Sequence, residues 1–255
     1  MAFQRIKLEL DAPVARLTLV HPSLNVIDIP MMEELSTTLA EIELRADLSV
    51  VVFAGSEKAF SAGVDVAAHT PEKIEEMLTK FHAVFKALVA SRKVSIAAVR
   101  GHCLGGGAEL AMVCDLVVTS EDTTWGFPEI SLGCFPPVAA TALAALVGQK
   151  RASELILTGR TFAGHDAEQF GLANYSVRSS QVLGKVADLI EQLTKLSPAA
   201  LAVTKKAIYA WDSMHFDKGL ARAEKVYLEE LMKTDDAREG IAAFIEKRAA
   251  LWKGK

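Results

Sequence analysis

The sequence predicts an α/β core followed by an all-helical C-terminal part. Three observations carry that prediction. Short apolar runs of the kind buried on both faces, at residues 50–54, 94–99 and 116–119, alternate with segments of helical spacing. A glycine-rich turn joins a strand directly to a helical pattern across residues 96–115, and from about Ser197 the strand signal gives way to helix. With 255 residues, 51% of them hydrophobic and 24% charged, the chain has the composition of an ordinary folded protein and is long enough to bury a large core.

Taken in order, residues 6–20 alternate in two runs (Ile6, Leu8, Leu10, then Val14, Leu17, Leu19) broken by Asp11-Ala12-Pro13, which predicts a hairpin. Met32, Leu35, Leu39 and Ile42 mark one face of a helix, and VVVFA at 50–54, ending at Gly55, reads as a buried strand. Ile74, Met77, Leu78, Phe81, Phe85 and Leu88 mark a second amphipathic helix. In the tail, SPAALAVTKKAIYAW, FDKGLARAEKVYLEELMK and DDAREGIAAFIEKRAALW all read as helices. Ser197 before Pro198 suits an N-cap with proline in the first turn, and Asp235-Asp236 is expected to supply oxygen acceptors and negative charge at the start of the last helix. There is no internal repeat, low-complexity tract or long linker, so the chain divides softly into a core over residues 1–196 and a helical region over 197–255.

The net charge of -4, from 28 basic and 32 acidic residues, offers no electrostatic footprint for nucleic acid. Cys103, Cys114 and Cys134 are too few and too loosely spaced for a disulfide framework or a four-ligand zinc site, and they read as free thiols in a reducing compartment. The N-terminal stretch is broken by charges every few residues, and no apolar run approaches the roughly 20 residues of a membrane span. The expected location is the cytoplasm, with no membrane contact.

The most informative segment is IAAVRGHCLGGGAELAMVCD, where a strand runs into Gly105-Gly106-Gly107 and then a helix. A phosphate loop would need a following Lys-Ser/Thr and a dinucleotide fingerprint a G-x-G-x-x-G pattern, and neither is present. Such glycines can instead bring bare backbone N–H groups to a ligand at a helix N-terminus, where the dipole favours developing negative charge. A second loop of this kind lies in AFSAGVDV, where Gly63 follows the strand at 50–54; taken alone it reads as an ordinary strand-to-helix turn, and only the two loops together point to a donor pair. Glu109, just past the glycines, and Glu129, in WGFPEISLG, sit among residues that want burial. A carboxyl group in apolar surroundings has a raised pKa and can trade a proton near neutral pH, although each glutamate taken singly could be a cap or an ion-pair member. His69, His82 and His102 lack ligand spacing and a matched nucleophile, which leaves no predicted metal site.

The patterns AFSAGVD, AAVRGHCLGGGAELAMVCDLVV and FPEISLG together resemble the enoyl-CoA hydratase/isomerase (crotonase) family, and the likeness runs from VARLTLVHPSLNVI to REGIAAFIEKR. The resemblance implies a spiral of β-β-α turns with a C-terminal helical part used to form trimers or dimers of trimers. It implies that the backbone N–H groups of Val64 and Gly106 bind a thioester oxygen, and that Glu109 and Glu129, twenty residues apart as in the family's hydratases, handle water and a proton respectively. It also implies coenzyme A contacts at Leu24, Val26, Ala62, Asp65 and Val66, with Phe244 and Lys247 reaching in from a neighbouring subunit, and no cofactor beyond the coenzyme A of the substrate. For Phe244 and Lys247 the residues alone suggest an ordinary amphipathic helix.

One departure stands out: after PEISLG the chain reads CFPPVAATALAAL where many relatives have a Pro-Gly-x-Gly-Gly helix start. With LNVIDIPMMEEL and the C-terminal motif, this resembles most the cyclohexa-1,5-diene-1-carbonyl-CoA hydratases, whereas the SAGVDV loop looks more like the general family. The expected activity is therefore hydration of that ring dienoyl thioester to 6-hydroxycyclohex-1-ene-1-carbonyl-CoA, with a general 2-enoyl-CoA hydratase of fatty-acid oxidation as the alternative. A non-catalytic acyl-CoA- or RNA-binding relative is the alternative of another class; it would have no need of both glutamates.

Overall fold

A computed structural model describes residues 3–209 and 212–254, with the side chains of 212–215 outside that description. Ala210 and Trp211, the end of the first predicted tail helix, lie outside the described residues. The predicted hairpin forms as β1 (Ile6–Asp11) and β2 (Val14–Leu19), antiparallel with Asp11 opposite Val14. Next comes α1 (Ile29–Leu44), whose N-cap Asp28 accepts a 3.0 Å hydrogen bond from Met31 N with Pro30 in the first turn. Its buried residues Met32, Leu35, Leu39 and Ile42 are the predicted apolar stripe.

A repeated unit follows. β3 (Val50–Ala54) runs into the short β4 (Ala59–Ser61) and then α2 (Ile74–Ala90). β5 (Val94–Val99) runs into β6 (His102–Leu104) and α3 (Gly106–Val113), and β7 (Leu116–Ser120) into β8 (Thr124–Gly126) and α4 (Pro137–Val147). The long strands form one six-stranded sheet, β1-β2-β3-β5-β7 with a last short strand β10 (Tyr175–Val177), parallel from β2 onward. The short strands stack in a second sheet, β4-β6-β8, closed by the antiparallel β9 (Thr161–Ala163). Each turn of the chain thus adds one strand to each sheet and one helix outside, which is the spiral of β-β-α units the resemblance implies. The three-residue strands escaped sequence reading because alternation needs more residues than three to show.

Helices α5 (Gln149–Thr158), α6 (Gly164–Phe170) and α7 (Val182–Thr194) complete the core. The tail supplies α8 (Pro198–Tyr209), α9 (Asp212–Glu229) and α10 (Asp235–Ile245). Ser197 Oγ accepts from Ala200 N at 3.3 Å, as the Ser-Pro start predicts. The last helix differs in detail from expectation. Its cap is Thr234, whose Oγ1 accepts from Ala237 N at 3.1 Å, because Thr234 is the residue still in extended conformation (ψ 146). Asp235 and Asp236 contribute negative charge in the first turn, and the Asp236 carboxylate instead ties down Lys253 N and Gly254 N. The tail packs on the core, with α9 against α4 and α2. Buried Lys205 of α8 donates to Asp115 Oδ2 at 2.7 Å and to the Lys93 carbonyl at 2.9 Å.

Candidate active site

β4 and β6 run parallel and adjacent in the short-strand sheet, and this brings the two glycine loops that follow them together. After β4, residues 62–65 are pinned to the segment before α1: Ala62 N donates to Leu24 O at 2.9 Å, Ile27 N to Gly63 O at 2.8 Å and Asp65 N to Ile27 O at 3.1 Å. Buried Asn25 reinforces this: its Nδ2 donates to the Ala59 and Phe60 carbonyls, and its own carbonyl accepts from Ser61 Oγ, which in turn accepts from Gly63 N. The Val64 N–H, by contrast, meets no acceptor among the described residues. Gly63 adopts φ 106°, open to glycine and strained for other residues.

After β6, Gly105 donates to Gly126 O at 2.9 Å, and Glu109 N closes the first turn of α3 onto Gly105 O at 2.9 Å. The Gly106 N–H at the head of that helix has no acceptor among the described residues. The loops touch. A β-carbon on Gly63 would stand 3.6 Å from Gly106 N, and one on Gly106 would stand 2.6 Å from Val64 Cγ2. Two unengaged backbone donors, one at a helix N-terminus, therefore adjoin, which is what holding a carbonyl oxygen as it gains negative charge requires.

Glu109 projects from an α3 that is apolar around it, with Ala108, Leu110, Ala111 and Met112 all buried, and is itself 1% exposed. One carboxylate oxygen has a partner: Oε1 accepts from Ala139 N at 2.9 Å. The departure FPPV explains that contact. Pro136 and Pro137 open α4 without a side-chain cap and without N–H groups of their own, so the carboxylate of Glu109 serves the free amide of the first turn. Burial pushes the Glu109 carboxyl up to about 7, against a smaller opposing effect of the Ala139 and Val138 amides.

Glu129 lies in a short 3₁₀ turn, Pro128–Leu132, ended by Gly133 at φ 67°. Its Oε1 rests on Gly105, where a β-carbon would approach to 2.7 Å, and its Oε2 is sealed from solvent with no hydrogen-bond partner. Burial and the nearby Glu109 hold its carboxyl well above the usual range. The amides of Ala139 and Val138 favour the ionised form of Glu109, whereas Glu129 has only its own amide and feels the Glu109 charge besides its burial, so Glu129 retains the proton longer.

Both glutamates open on one cavity of about 260 Å³. Its apolar walls include Met77, Leu78, Phe81, Leu132 and Phe135, with Pro136 and Pro137 beside them. Of the residues named from sequence, Ala62, Val64, Val66, Gly106, Glu109, Glu129 and Phe244 line it, Phe244 from the same chain's α10. Leu24, Val26, Asp65 and Lys247 do not border it. Asp65 spends its carboxylate on capping the 3₁₀ turn Val66–Ala68, accepting from Ala67 N at 3.1 Å. Asn25 and Tyr227 go unread in the sequence, Phe81 reads there only as part of a helix face, and His69 as neither ligand nor nucleophile partner. His69 gives Nδ1 to the Asp65 carbonyl at 3.1 Å, and burial lowers its pKa, so a neutral ring faces the site. Among the described residues, no cluster of three or more His, Cys, Asp or Glu could hold a metal, and no helix is long and apolar enough to cross a membrane. A larger cavity of about 360 Å³ beside Met112, Thr141 and Phe216 carries no paired carboxyls.

Residues 9–255 match the model of the enoyl-CoA hydratase/isomerase family. The chain is 33% identical over 252 residues to a probable enoyl-CoA hydratase, echA8, of Mycobacterium tuberculosis, covering 98% of each. It is 32% identical over 251 residues to the cyclohexa-1,5-dienecarbonyl-CoA hydratase of Thauera aromatica, covering 98% of this chain and 97% of that one. Its fold superposes on the crystal structure of an enoyl-CoA hydratase from Mycobacterium avium subsp. paratuberculosis with a TM-score of 0.89 at 25% identity, over 99% of this chain and 100% of that one.

Proposed function

The chain belongs to the enoyl-CoA hydratase/isomerase family and is a hydro-lyase of the enoyl-CoA hydratase type, and from that premise we propose how its residues add water. The thioester oxygen sits between the N–H groups of Val64 and Gly106. Glu109 takes a proton from water as the water oxygen bonds to the β-carbon, and the displaced electron pair moves onto the thioester oxygen. Glu129 then gives its proton to the carbon end of the resulting enolate, and exchange with solvent restores both carboxyls. The observation that carries this reading is the pairing, on one cavity, of two unengaged amides with a buried and a half-buried glutamate of unequal acidity.

For the acyl group we propose the cyclohexa-1,5-diene-1-carbonyl thioester. Charge reaches the thioester oxygen only if water attacks ring carbon 2, and the dienolate so formed spreads to carbon 5. Protonation there leaves one ring double bond in conjugation and yields 6-hydroxycyclohex-1-ene-1-carbonyl-CoA after renumbering. Glu129 would thus deliver its proton across the ring from the carbon that takes the oxygen. The compact aromatic and proline wall at Phe135, Pro136 and Pro137 supports a ring substrate. The near-equal identity to the M. tuberculosis relative supports a general 2-enoyl-CoA hydratase as the second reading.

Coenzyme A enters with the substrate. We place its contacts along Leu24, Val26, Ala62, Asp65 and Val66, with Phe244 and Lys247 at the rim, in a cytoplasmic trimer or dimer of trimers. Initial hydration rates on the ring dienoyl thioester and on crotonyl-CoA, measured side by side with products identified by mass, test the proposal. Preference for the ring confirms it, preference for crotonyl-CoA leaves only the general hydratase, and turnover of neither removes the catalytic reading.

A further inference from the structure

A buried side chain without a partner stands in the same cavity, on an element far from either glutamate in sequence. Tyr227 of α9 is 1% exposed and lines the cavity, and its Oη has no hydrogen-bond partner among the described residues. Phe135 fixes its ring, with the centroids 5.1 Å apart at 58°. Cys134 lies beside the hydroxyl but turns its thiol to the Leu132 carbonyl at 3.6 Å. A sealed hydroxyl without a partner is unfavourable unless something in the cavity engages it. Among the described residues, Glu129 Oε2 is the other sealed side-chain polar atom on this cavity without a partner.

Resting on the hydratase reading above, we propose that Tyr227 is a third contact for the reacting oxygen: its hydroxyl holds the water that is added and the hydroxyl of the product between the two glutamates. The valences of water fit such a site. One hydrogen goes to Glu109 and the other to the free oxygen of the protonated Glu129. One lone pair accepts from Tyr227, and the remaining lone pair is left to attack carbon. Burial and the neighbouring Cys134, Glu129 and Glu109 hold the phenol well above its ordinary value, so it remains an O–H donor throughout. The same contact then receives the product's new hydroxyl group, which a saturated acyl group lacks.

The test compares the wild type with Tyr227→Phe in three measurements on each protein: affinity for 3-hydroxybutyryl-CoA, affinity for butyryl-CoA, and crotonyl-CoA hydration. The expected result is that the variant's affinity for the hydroxy thioester, relative to the saturated one, falls on the order of tenfold, the effect of one lost hydrogen bond. Butyryl-CoA binding should stay unchanged, which also reports an intact fold, and the hydration rate should fall. Equal losses for both thioesters would show a packing role, and no change in their ratio would show that the hydroxyl touches nothing that reacts; either overturns the proposal. A wild type that hydrates no enoyl thioester would instead sink the hydratase reading beneath it.

Discussion

At the scale of single residues, the site is two carboxyls held out of water with different supports. Glu109 is buried but leans on the first turn of α4, whereas Glu129 Oε2 leans on nothing. The rate constant kcat/KM is accordingly expected to rise with pH as Glu109 ionises, levelling above about pH 7, and to fall again at higher pH when Glu129 loses its proton. A pH profile with no acid limb near neutrality would remove Glu109 as the base. Replacing either glutamate by glutamine should lower turnover by roughly 10²–10⁴ with little change in coenzyme A affinity. The same shift has a signature in stability. Because the folded-state pKa of Glu109 lies above its ordinary value of 4.5, ionisation works against folding as pH rises from about 4.5 towards 7. Glu109→Gln should therefore melt progressively higher than wild type across that window and keep its advantage above it. A constant difference from pH 4.5 to 8 would contradict the burial argument.

At the scale of elements, the catalytic groups are positioned by contacts that a β-carbon would break. Gly106 begins α3 in helical conformation, so alanine suits its backbone, but the new methyl would stand 2.6 Å from Val64 Cγ2 and 2.7 Å from Phe81 Cζ. Gly106→Ala is expected to part the two donor loops and cost about 10²–10³ in kcat while the melting temperature stays near wild type. Comparable losses of stability and activity would point to general unfolding instead. The tail acts on the site in the same way. Gly240 lets α10 press against the Leu132 carbonyl, at the end of the turn that carries Glu129, and Gly133 of that turn meets Asp236. Gly240→Ala should displace the turn, lowering both turnover and thermal stability, as steady-state rates and a melting curve would show together.

At the scale of the whole molecule, the C-terminal helices leave large apolar side chains facing outward. Val203 and Ile208 of α8 are 68% and 67% exposed, and Leu196 just before it is 55% exposed. Scattered exposure is normal in a single chain, and the proposed assembly would cover part of this apolar surface. Sedimentation should give three or six times the mass of one chain; a monomer would remove the proposed assembly and leave Phe244 acting within its own subunit, where it lines the cavity.

The long strands, the amphipathic helices and the two glycine loops were legible in the sequence because each is a local pattern: continuous apolar runs, a period near 3.6, glycine between strand and helix. Glu109 and Glu129 stood out for the same reason, as acidic residues in apolar company. The last helix's cap fell one residue earlier than the acidic pair suggested, since capping depends on which residue keeps extended backbone angles. Asn25, the Glu109 contact with α4, and Tyr227 carried no local signal at all. Asn25 matters because the chain before α1 is laid along β4, and Tyr227 because α9 folds back over the loop that opens α4. Sequence periodicity reports which face of an element is buried, and only tertiary packing decides which distant residue that face meets and whether a buried polar atom finds a partner there.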